Sequence, residues 1–338
     1  MKKIFLLCML CLLKFSNANA QTEVEPNGIW NQSLAITLGN TADGSAGLGH
    51  EEDWWRVSIP EDGALTVNWG SNGFHLYCQI YDTLGTVVLF SNYTNGSSSG
   101  TASGIAKGTY YIKMVNYYPG EISNYTLTPS FTPAPVANDA EPNGTFATAN
   151  TLPLNSTTTG HCHYYFNNEK DTLDWYTITT TVSGQLSWTI SSQNGSLIFA
   201  DLINGDGVTL ITGNYTSNTL TQTANGLAAG TYYLRLHTFY DNQFVPYTLS
   251  NTFTAPTYST DPEPNQTAAT ATSFPLNGSV VGQIGYRYNG TRDNYDWWAV
   301  NVNADGRLNV TLTVDNGQNT YAQLFDGDAV TLLAGSYT

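Results

Sequence analysis

The sequence predicts an all-β protein built from tandem antiparallel β-sandwiches, and three observations support this fold class. Apolar and polar residues alternate with a period of two, as at Leu65, Val67 and Trp69, which is typical of half-buried strands. Turn signals, such as Asn-Gly-Asp-Gly at residues 204–207, separate these runs at short intervals. Amphipathic helical spacing is missing from the sequence. Jelly-roll and immunoglobulin-like topologies both remain open on this pattern alone.

The N-terminal 20 residues have the pattern of a secretory signal peptide. Lys2 and Lys3 precede an apolar run over residues 4–13, and small residues at 18–20 form a cleavage site. The apolar run is too short to span a bilayer. We therefore expect a secreted protein, extracellular or on the cell surface, without membrane insertion.

The net charge predicts which partners the chain attracts. The formal charge is −15, and loss of Lys2, Lys3 and Lys14 with the leader would leave eight basic against 26 acidic residues, or −18. Such a surface repels nucleic acids and anionic membranes and attracts divalent cations. We expect no nucleic-acid partner.

Internal repeats define the predicted domain organisation. Residues 141–216 align with 263–338 at a constant offset of 122, while the first copy is offset by 116 at its start and by 122 from Tyr93 onward. We predict repeat 1 over 21–131, a linker over 132–138, repeat 2 over 139–253, a linker over 254–260 and repeat 3 over 261–338. Repeat 3 lacks the counterparts of 217–253, so we expect further sequence and domains after Thr338.

Within each repeat the same strand pattern recurs. Repeat 2 has Leu186, Trp188 and Ile190 on one phase, and the corresponding run of repeat 3 contains Leu308, Val310, Leu312 and Val314. Both runs are predicted to be strands.

Each repeat begins with an acidic motif, and a second acidic motif precedes a tryptophan later in the repeat. In repeat 2 they are Asp139, Glu141 and Asn143, then Asp171 and Asp174. Alternate residues of an extended segment project to one side, so the first three side chains can converge. Turn initiation by Asp and Asn is the alternative for a single copy, but three copies that keep both halves favour a cation site.

Ca²⁺ is the cation that this set of oxygens suits. It takes six to eight oxygen ligands in irregular geometry, whereas Mg²⁺ requires a stricter octahedron. Without a cation, clustered carboxylates would repel one another. In repeat 1, His50 lies three residues before Asp53, and Glu51 and Glu52 follow it, so a weaker or differently built site is expected there.

The cysteines and histidines favour structural roles. Cys78 aligns with Ala200 and Cys162 with Ile284, which predicts two small core residues and no disulfide framework. His161 and His163 beside Cys162 could form a transition-metal site, but the third repeat has Gln and Gly at the histidine positions.

A catalytic function is the competing class. Residues 96–100 match the Gly-x-Ser-x-Gly nucleophile pattern, which requires a preceding strand and a following helix. Here the motif is predicted to lie in a flexible Ser/Gly-rich turn, and we expect no enzyme activity.

The motifs together resemble a known family, the bacterial pre-peptidase C-terminal domain, which includes collagen-binding modules of secreted bacterial collagenases. The resemblance rests on acid-x-Glu-Pro-Asn, Asp-x-x-Asp-Trp, Gly-Thr-Tyr-Tyr and a closing Tyr-x-Leu, and covers nearly all of residues 23–338. It implies a non-catalytic, jelly-roll-like sandwich that binds Ca²⁺. The implied ligands are Glu23, Glu25, Asn27 and Asp53; Asp139, Glu141, Asn143, Asp171 and Asp174; and Asp261, Glu263, Asn265, Asp293 and Asp296.

Outer-face aromatic residues suggest a binding role for the sandwiches. Tyr111 and Tyr233 are predicted to lie on the outer face, where they could recognise a protein or polysaccharide. Trp54, Trp175 and Trp297 are expected to pack beneath the linkers and shield the cation; exposed polysaccharide contacts are the alternative. We expect the region to attach a larger exported protein to an extracellular polymer or cell surface. A purely structural spacer and an ancillary part of a secreted peptidase are the alternatives.

Overall fold

The computed structural model describes residues 20–47, 49, 52–240, 243–288, 291–315 and 318–338. All but Ala20 of the predicted signal peptide over residues 1–20 lies outside this set, as do His50 and Glu51. In the part described, no helix has the length and apolar character needed to cross a membrane. Short 3₁₀ helices occur at Trp30–Gln32, Phe146–Thr148 and Ala268–Thr270.

The first repeat forms ten strands. They are β1 (Gln21–Thr22), β2 (Leu34–Ala35), β3 (Ala42–Ala46), β4 (Glu52–Ile59), β5 (Gly63–Ser71), β6 (Leu76–Tyr81), β7 (Val88–Thr94), β8 (Ser97–Ile105), β9 (Gly108–Asn116) and β10 (Ser123–Pro133). One sheet has the order β1-β3-β10-β5-β8 and the other β2-β4-β9-β6-β7. Neighbours are antiparallel except for β1 with β3 and β2 with β4.

The second repeat has the same plan. Its strands are β11 (Asn150–Thr151), β12 (Thr157–Cys162), β13 (Tyr164–Phe166), β14 (Glu169–Asp171), β15 (Leu173–Thr180), β16 (Gly184–Ser192), β17 (Ile198–Ile203), β18 (Leu210–Thr216), β19 (Thr219–Leu227), β20 (Gly230–Thr238) and β21 (Val245–Thr254). The sheets are β12-β21-β16-β19 and β11-β15-β20-β17-β18. The hairpin β13–β14 instead extends the first repeat's sheet beyond β8.

Alternating strand residues supply the two cores. In β16, Leu186, Trp188 and Ile190 are fully buried, and they pack with the buried residues of β20 and β21 in one apolar cluster. A second cluster, containing Trp55 and Leu65, fills the first repeat. The protein is therefore all-β and built from antiparallel sandwiches, as the period-two pattern predicts. The domain boundaries remain a prediction.

The third repeat forms shorter strands. They are β22 (Thr272–Ser273), β23 (Arg287–Tyr288), β24 (Thr291–Arg292), β25 (Trp298–Ala299), β26 (Tyr321–Phe325) and β27 (Leu332–Tyr337). The strand prediction over Leu308–Val314 is wrong: this stretch forms no strand, and Val310 and Leu312 are 54% and 41% exposed. The physical reason is the lack of pairing partners. In repeat 2, β16 pairs with β19 and β21, whereas no described segment of repeat 3 pairs with residues 308–314.

Two further sequence expectations have clear outcomes. Cys78 and Cys162 are fully buried and unpaired in disulfides, as core residues should be. The expectation of a flexible turn at the Gly-x-Ser-x-Gly motif is wrong, because Ser97 begins β8, which pairs along its length with β5.

Candidate metal centre

Each acid-x-Glu-Pro-Asn motif is hydrogen-bonded to the tryptophan of the Asp-Trp pair, which lies near the start of β4 and β15 and just before β25. The backbone carbonyl of Asn27 accepts the N–H of Trp54 at 3.0 Å. Asn143 accepts that of Trp175 at 3.1 Å, and Asn265 that of Trp297 at 2.9 Å. This repeated bond places the linker-side acids next to the aspartate that precedes each tryptophan.

Three acidic side chains converge in every repeat. Each can offer one carboxylate oxygen that lies within 4.8 Å of those from the other two. The triplets are Glu23, Glu25 and Asp53; Asp139, Glu141 and Asp174; and Asp261, Glu263 and Asp296. The structure thus brings together nine of the predicted ligands, three in each repeat.

The asparagine of each motif is oriented by its amide nitrogen. Asn27 Nδ2 donates to Glu23 Oε1 at 2.8 Å, and Asn143 Nδ2 donates to Asp139 in the same way. Their backbone N–H groups donate to the motif glutamates, at 3.0 Å to Glu25 and 3.1 Å to Glu141. Because the nitrogens hold these bonds, the Oδ1 atoms remain available to a further partner.

Asp171 and Asp293 lie outside the triplets but near them. Asp171 ends β14. Burial and then the charge of Asp171 raise the pKa of Glu141, so the two carboxylates interact. Asp293 is buried, and its backbone N–H donates to the Tyr286 carbonyl at 2.8 Å. These aspartates enlarge the acidic group of repeats 2 and 3 to four carboxylates each.

Several oxygen atoms of these groups are buried and have no hydrogen-bond partner. Buried polar atoms without a hydrogen bond are costly and rare in folded proteins. Among the described residues, those at the three sites are Asn27 Oδ1, Asp53 Oδ1 and Oδ2, Asp139 Oδ1, Asn143 Oδ1, Asp171 Oδ2, Asp174 Oδ1, Asn265 Oδ1, Asp293 Oδ1 and Oδ2, and Asp296 Oδ1. A donor set of carboxylate and amide oxygens fits a hard cation such as Ca²⁺.

Burial and mutual repulsion change the protonation of these acids. Burial raises the pKa of Asp53 to about 9, with Glu23 as the next cause. Burial followed by the charges of Asp171 and Asp139 raises the pKa of Glu141 to about 8, and burial followed by Asp261 does the same for Asp296. Desolvation disfavours the charged form of a carboxyl group. A bound cation would favour it.

Glycines allow the acids to approach the neighbouring strand, and sequence reasoning missed them. A Cβ on Gly160 would lie 2.3 Å from Tyr247 Oη and 2.7 Å from Asp139 Oδ1. A Cβ on Gly44 would likewise lie too close to Tyr125 Oη and Glu23 Oε2. A Cβ on Gly282 would lie 2.8 Å from Asp261 Oδ1. Their only sequence signal is their matching position in the repeats, since the chain has 31 glycines.

The two tyrosines that the sequence predicts to bind a protein or polysaccharide pack against other aromatic rings. Tyr111 and Tyr233 are half-buried on the outer sheet face. The ring of Trp30 packs edge-on against Tyr111 at 5.6 Å, and that of Phe146 against Tyr233 at 5.9 Å. Trp175 is buried and contacts this same group. A binding role for these two tyrosines remains a prediction.

More exposed aromatic clusters occur elsewhere, on the five-stranded sheets of repeats 1 and 2 and on the β26–β27 hairpin of repeat 3, and sequence reasoning missed them too. In repeat 1, Tyr117 contacts Tyr77, Tyr93 and Tyr118 at ring-centroid distances of 4.7–5.2 Å. We call the equivalent groups the aromatic clusters. They comprise Tyr77, Tyr93, Tyr117 and Tyr118 in repeat 1; Phe199, Tyr215, Phe239 and Tyr240 in repeat 2; and Tyr321 and Tyr337 in repeat 3. The offset of 122 relates every member, which is the signal that could have found them.

Comparisons with known proteins give no family assignment. No family model matches the chain, and no curated protein matches it. Solved structures that resemble parts of it include the pre-peptidase C-terminal domain of a Bacillus anthracis collagenase, with 20% identity, a TM-score of 0.25, and coverage of 34% of this chain and 100% of that one. The periplasmic lysozyme inhibitor PliG of Aeromonas hydrophila shares 14% identity over 31% of this chain and 97% of its own, with a TM-score of 0.22.

A tandem domain of a Paenibacillus barcinonensis protein, CBM22-1–CBM22-2 of Xyn10C, shares 10% identity, with a TM-score of 0.21 and coverage of 64% of this chain and 92% of that one. At these scores the similarities carry no functional argument.

Proposed function

We propose that this chain is a secreted, non-catalytic, calcium-binding region of β-sandwich repeats that attaches a larger exported protein to an extracellular polymer or cell surface. The observation that supports calcium binding is the convergence of acidic side chains at the same position of three repeats, where several carboxylate and amide oxygens are buried without a hydrogen-bond partner. An unpartnered buried carboxylate is destabilising, whereas a coordinated one is not.

Ca²⁺ is the ion of choice because the available donors are oxygens. Repeat 2 offers Asp139, Glu141, Asp171 and Asp174 together with Asn143 Oδ1, and a bidentate carboxylate brings this set to six or more ligand atoms. Soft metals prefer Cys and His ligands. His161 instead has its Nε2 at 2.6 Å from the Val136 carbonyl, and Cys162 Sγ donates to Asp174 Oδ2 at 3.2 Å.

The aromatic clusters support the attachment function. Tyr117 and Phe239 occupy equivalent positions in repeats 1 and 2 and are 38% and 50% exposed. Exposed tyrosines combine an apolar ring with a hydroxyl group, which suits recognition of a neutral polymer. Equivalent clusters on successive repeats match a partner that itself repeats, such as a fibrous protein or a polysaccharide.

A purely structural spacer is the second candidate. The sheet that continues from repeat 1 into hairpin β13–β14 favours it, because strand pairing across a joint restricts the movement of one repeat against the next. An ancillary role beside a secreted peptidase is compatible with either function and depends on which domains accompany the region.

Calorimetric titration of the chelator-treated chain with CaCl₂ and with MgCl₂ tests the metal site. We expect Ca²⁺ binding, tighter than Mg²⁺ binding, and a rise in the unfolding midpoint with Ca²⁺. Absence of Ca²⁺ binding would overturn the proposal. Retention on insoluble collagen and on chitin, with and without Ca²⁺, tests attachment; no retention on either polymer favours the spacer.

A further inference from the structure

The second repeat inserts a tyrosine into the first. Strand β13 pairs in parallel with β8, where Tyr165 lies opposite Ile105, and the Ala106 N–H donates to the Tyr165 carbonyl at 3.1 Å. The Tyr165 ring belongs to the buried core cluster of repeat 1, and its hydroxyl donates to Asp82 Oδ2 at 3.3 Å. One hairpin of repeat 2 is thus part of repeat 1.

Other side chains make this joint a packed interface. Burial and then Asp62 of repeat 1 raise the pKa of Tyr164, and Thr83 Oγ1 donates to Asn168 Oδ1 at 3.3 Å. Phe244 of repeat 2 packs on Gly104 so closely that a Cβ there would lie 2.3 Å from the ring.

The joint recurs between repeats 2 and 3. Strand β23 pairs in parallel with β19, and the Ala228 N–H donates to the Arg287 carbonyl at 3.1 Å. A Cβ on Gly226 would lie 2.8 Å from Tyr286 Cα. Arg287, Ala228 and Gly226 are the counterparts of Tyr165, Ala106 and Gly104 at the offset of 122. The two joints share the same parallel pairing and backbone hydrogen bond, which indicates a built feature of the fold.

The other strand of the same hairpin carries a cation ligand. Tyr164 of β13 pairs with Asp171 of β14, whose Oδ2 is buried without a partner. In repeat 3, the Tyr286 hydroxyl donates to Glu263 Oε1 at 2.9 Å, next to Asp293 in the paired segment. The hairpin therefore contacts the preceding repeat on one side and the acidic site of its own repeat on the other.

We propose that cation binding in repeats 2 and 3 locks the joint to the preceding repeat. This inference rests on the proposed Ca²⁺ sites. An ion held by Asp171 together with Glu141 and Asp174 restricts the hairpin to the position in which Tyr165 reaches the core of repeat 1. Coupling between two binding events is reciprocal, so the docked joint also strengthens ion binding.

The site of repeat 1 provides an internal control. Only residues 47–51 separate β3 from β4, whereas residues 163–172, which contain the hairpin, separate β12 from β15. The connection in repeat 1 is five residues long, shorter than the eight residues of the hairpin at 164–171. The site of repeat 1 should therefore bind an ion without coupling to a joint.

The test measures ion binding at one site at a time in the full chain. Asp53→Asn with Asp296→Asn isolates the site of repeat 2, and Asp174→Asn with Asp296→Asn isolates that of repeat 1. In the first background, Tyr165→Ala should weaken Ca²⁺ binding about 5- to 150-fold, the usual range of allosteric coupling. Phe166→Ala, the outward-facing neighbour on β13, should not. In the second background neither Tyr165→Ala nor Phe166→Ala should change the affinity for Ca²⁺.

Equal affinity for Ca²⁺ with and without Tyr165→Ala at the repeat 2 site would overturn the coupling and leave the calcium site intact. If Tyr165→Ala weakened Ca²⁺ binding at the sites of both repeats, the coupling would be overturned as well, because general unfolding would explain that result. Absence of Ca²⁺ uptake by the unaltered chain would overturn the proposed function and the coupling together.

A second measurement does not depend on the folding of Tyr165→Ala. In the unaltered chain, Ca²⁺ should slow hydrogen exchange at the Ala106 amide, which the joint protects. Asp171→Asn should abolish this effect, whereas Glu169→Gln on the same strand should preserve it. Exchange at Ala106 that is unchanged by bound Ca²⁺ would overturn the inference.

Discussion

Asp174 shows at the scale of one residue why the cation proposal is testable. Its side chain is fully buried, and Oδ1 has no hydrogen-bond partner. Burial, then the charges of Asp139 and Asp171, hold its pKa well above the usual range. Without an ion this carboxylate destabilises the fold; with one it becomes a ligand.

We predict that Asp174→Asn removes the Ca²⁺-dependent stabilisation of repeat 2. A ligand at a hundredfold excess over its dissociation constant stabilises the folded state by about 2.7 kcal/mol, and this gain should disappear. In chelator the variant should be at least as stable as the parent, because a buried charge is gone. Thermal unfolding with and without Ca²⁺ measures both effects. The control is Glu169→Gln, which alters an exposed acid on β14 and should retain the full Ca²⁺-dependent stabilisation.

The pH dependence of stability should reverse with Ca²⁺. Burial raises the folded-state pKa of Glu141 to about 8 and of Asp139 to about 6, above the unfolded values of about 4. Between these limits the folded state binds more protons than the unfolded state, so stability falls as pH rises.

In chelator, the free energy of unfolding should therefore increase from pH 8.5 to pH 5.5. In saturating Ca²⁺ it should decrease, because protons compete with the ion. Denaturant unfolding at several pH values checks this. The same pH trend in both solutions would contradict the prediction.

The sequence predicted the acidic residues of the site but not the residues that position them. Asp139, Glu141 and Asp174 recur with a recognisable spacing, and alternate residues of an extended segment share a side, so their convergence could be argued. Gly160 and Tyr247 could not be found this way, because their role depends on the distance between two strands that only the folded sheet defines.

At the scale of the element, β12 and β21 illustrate this requirement. Gly160 of β12 lies opposite Tyr247 of β21, and its missing side chain leaves room for the Tyr247 ring and for Asp139. A Cβ at the distances found there is sterically excluded, so the neighbouring groups would have to move.

Gly160→Ala should therefore displace Asp139 and weaken Ca²⁺ binding at repeat 2 by about tenfold or more, equivalent to about 1.4 kcal/mol. Calorimetry in the background that isolates this site measures the change. Gly230→Ala, where a Cβ meets no atom within 4 Å, should leave the affinity unchanged. Equal affinities for both variants would contradict a steric role of Gly160.

Strands were predictable where partners exist within the chain. Leu186, Trp188 and Ile190 alternate and form β16 between two neighbours. The run from Leu308 has the same alternation but no neighbour, and it remains exposed. Periodicity describes which face of a strand can be buried, whereas the strand itself requires backbone hydrogen bonds from adjacent segments.

At the scale of the whole molecule, repeated aromatic clusters predict avidity. Two linked sites on one polymer chain gain about 100-fold or more in apparent affinity without new contacts. The unaltered chain should therefore bind long collagen or chitin fibres far more tightly than their short soluble fragments.

Tyr117→Ala or Phe239→Ala should each remove most of this difference, because one anchoring point is lost. Sedimentation with fibres and calorimetry with fragments give the two affinities. Phe166→Ala, whose side chain is 38% exposed outside the clusters, should keep the difference. If the cluster variants also keep it, the aromatic clusters do not bind the polymer.

The order of sheets along the chain could not be predicted from the repeats. The repeat alignment places β13 and β14 within repeat 2, yet they complete a sheet of repeat 1. Local patterns carry no information about which sheet edge a short hairpin joins. That choice depends on packing, here on the core of repeat 1, which includes the Tyr165 ring.

This shared sheet has a consequence for a protein under tension. A pull on the two ends of the chain loads the short β8–β13 contact before it loads the longer ladders inside each sandwich. Because the backbone pairing there is a single residue pair, the joint would open first, and Tyr165 would leave the core of repeat 1. The joints would then open under the tension that flow exerts and re-form when the tension falls.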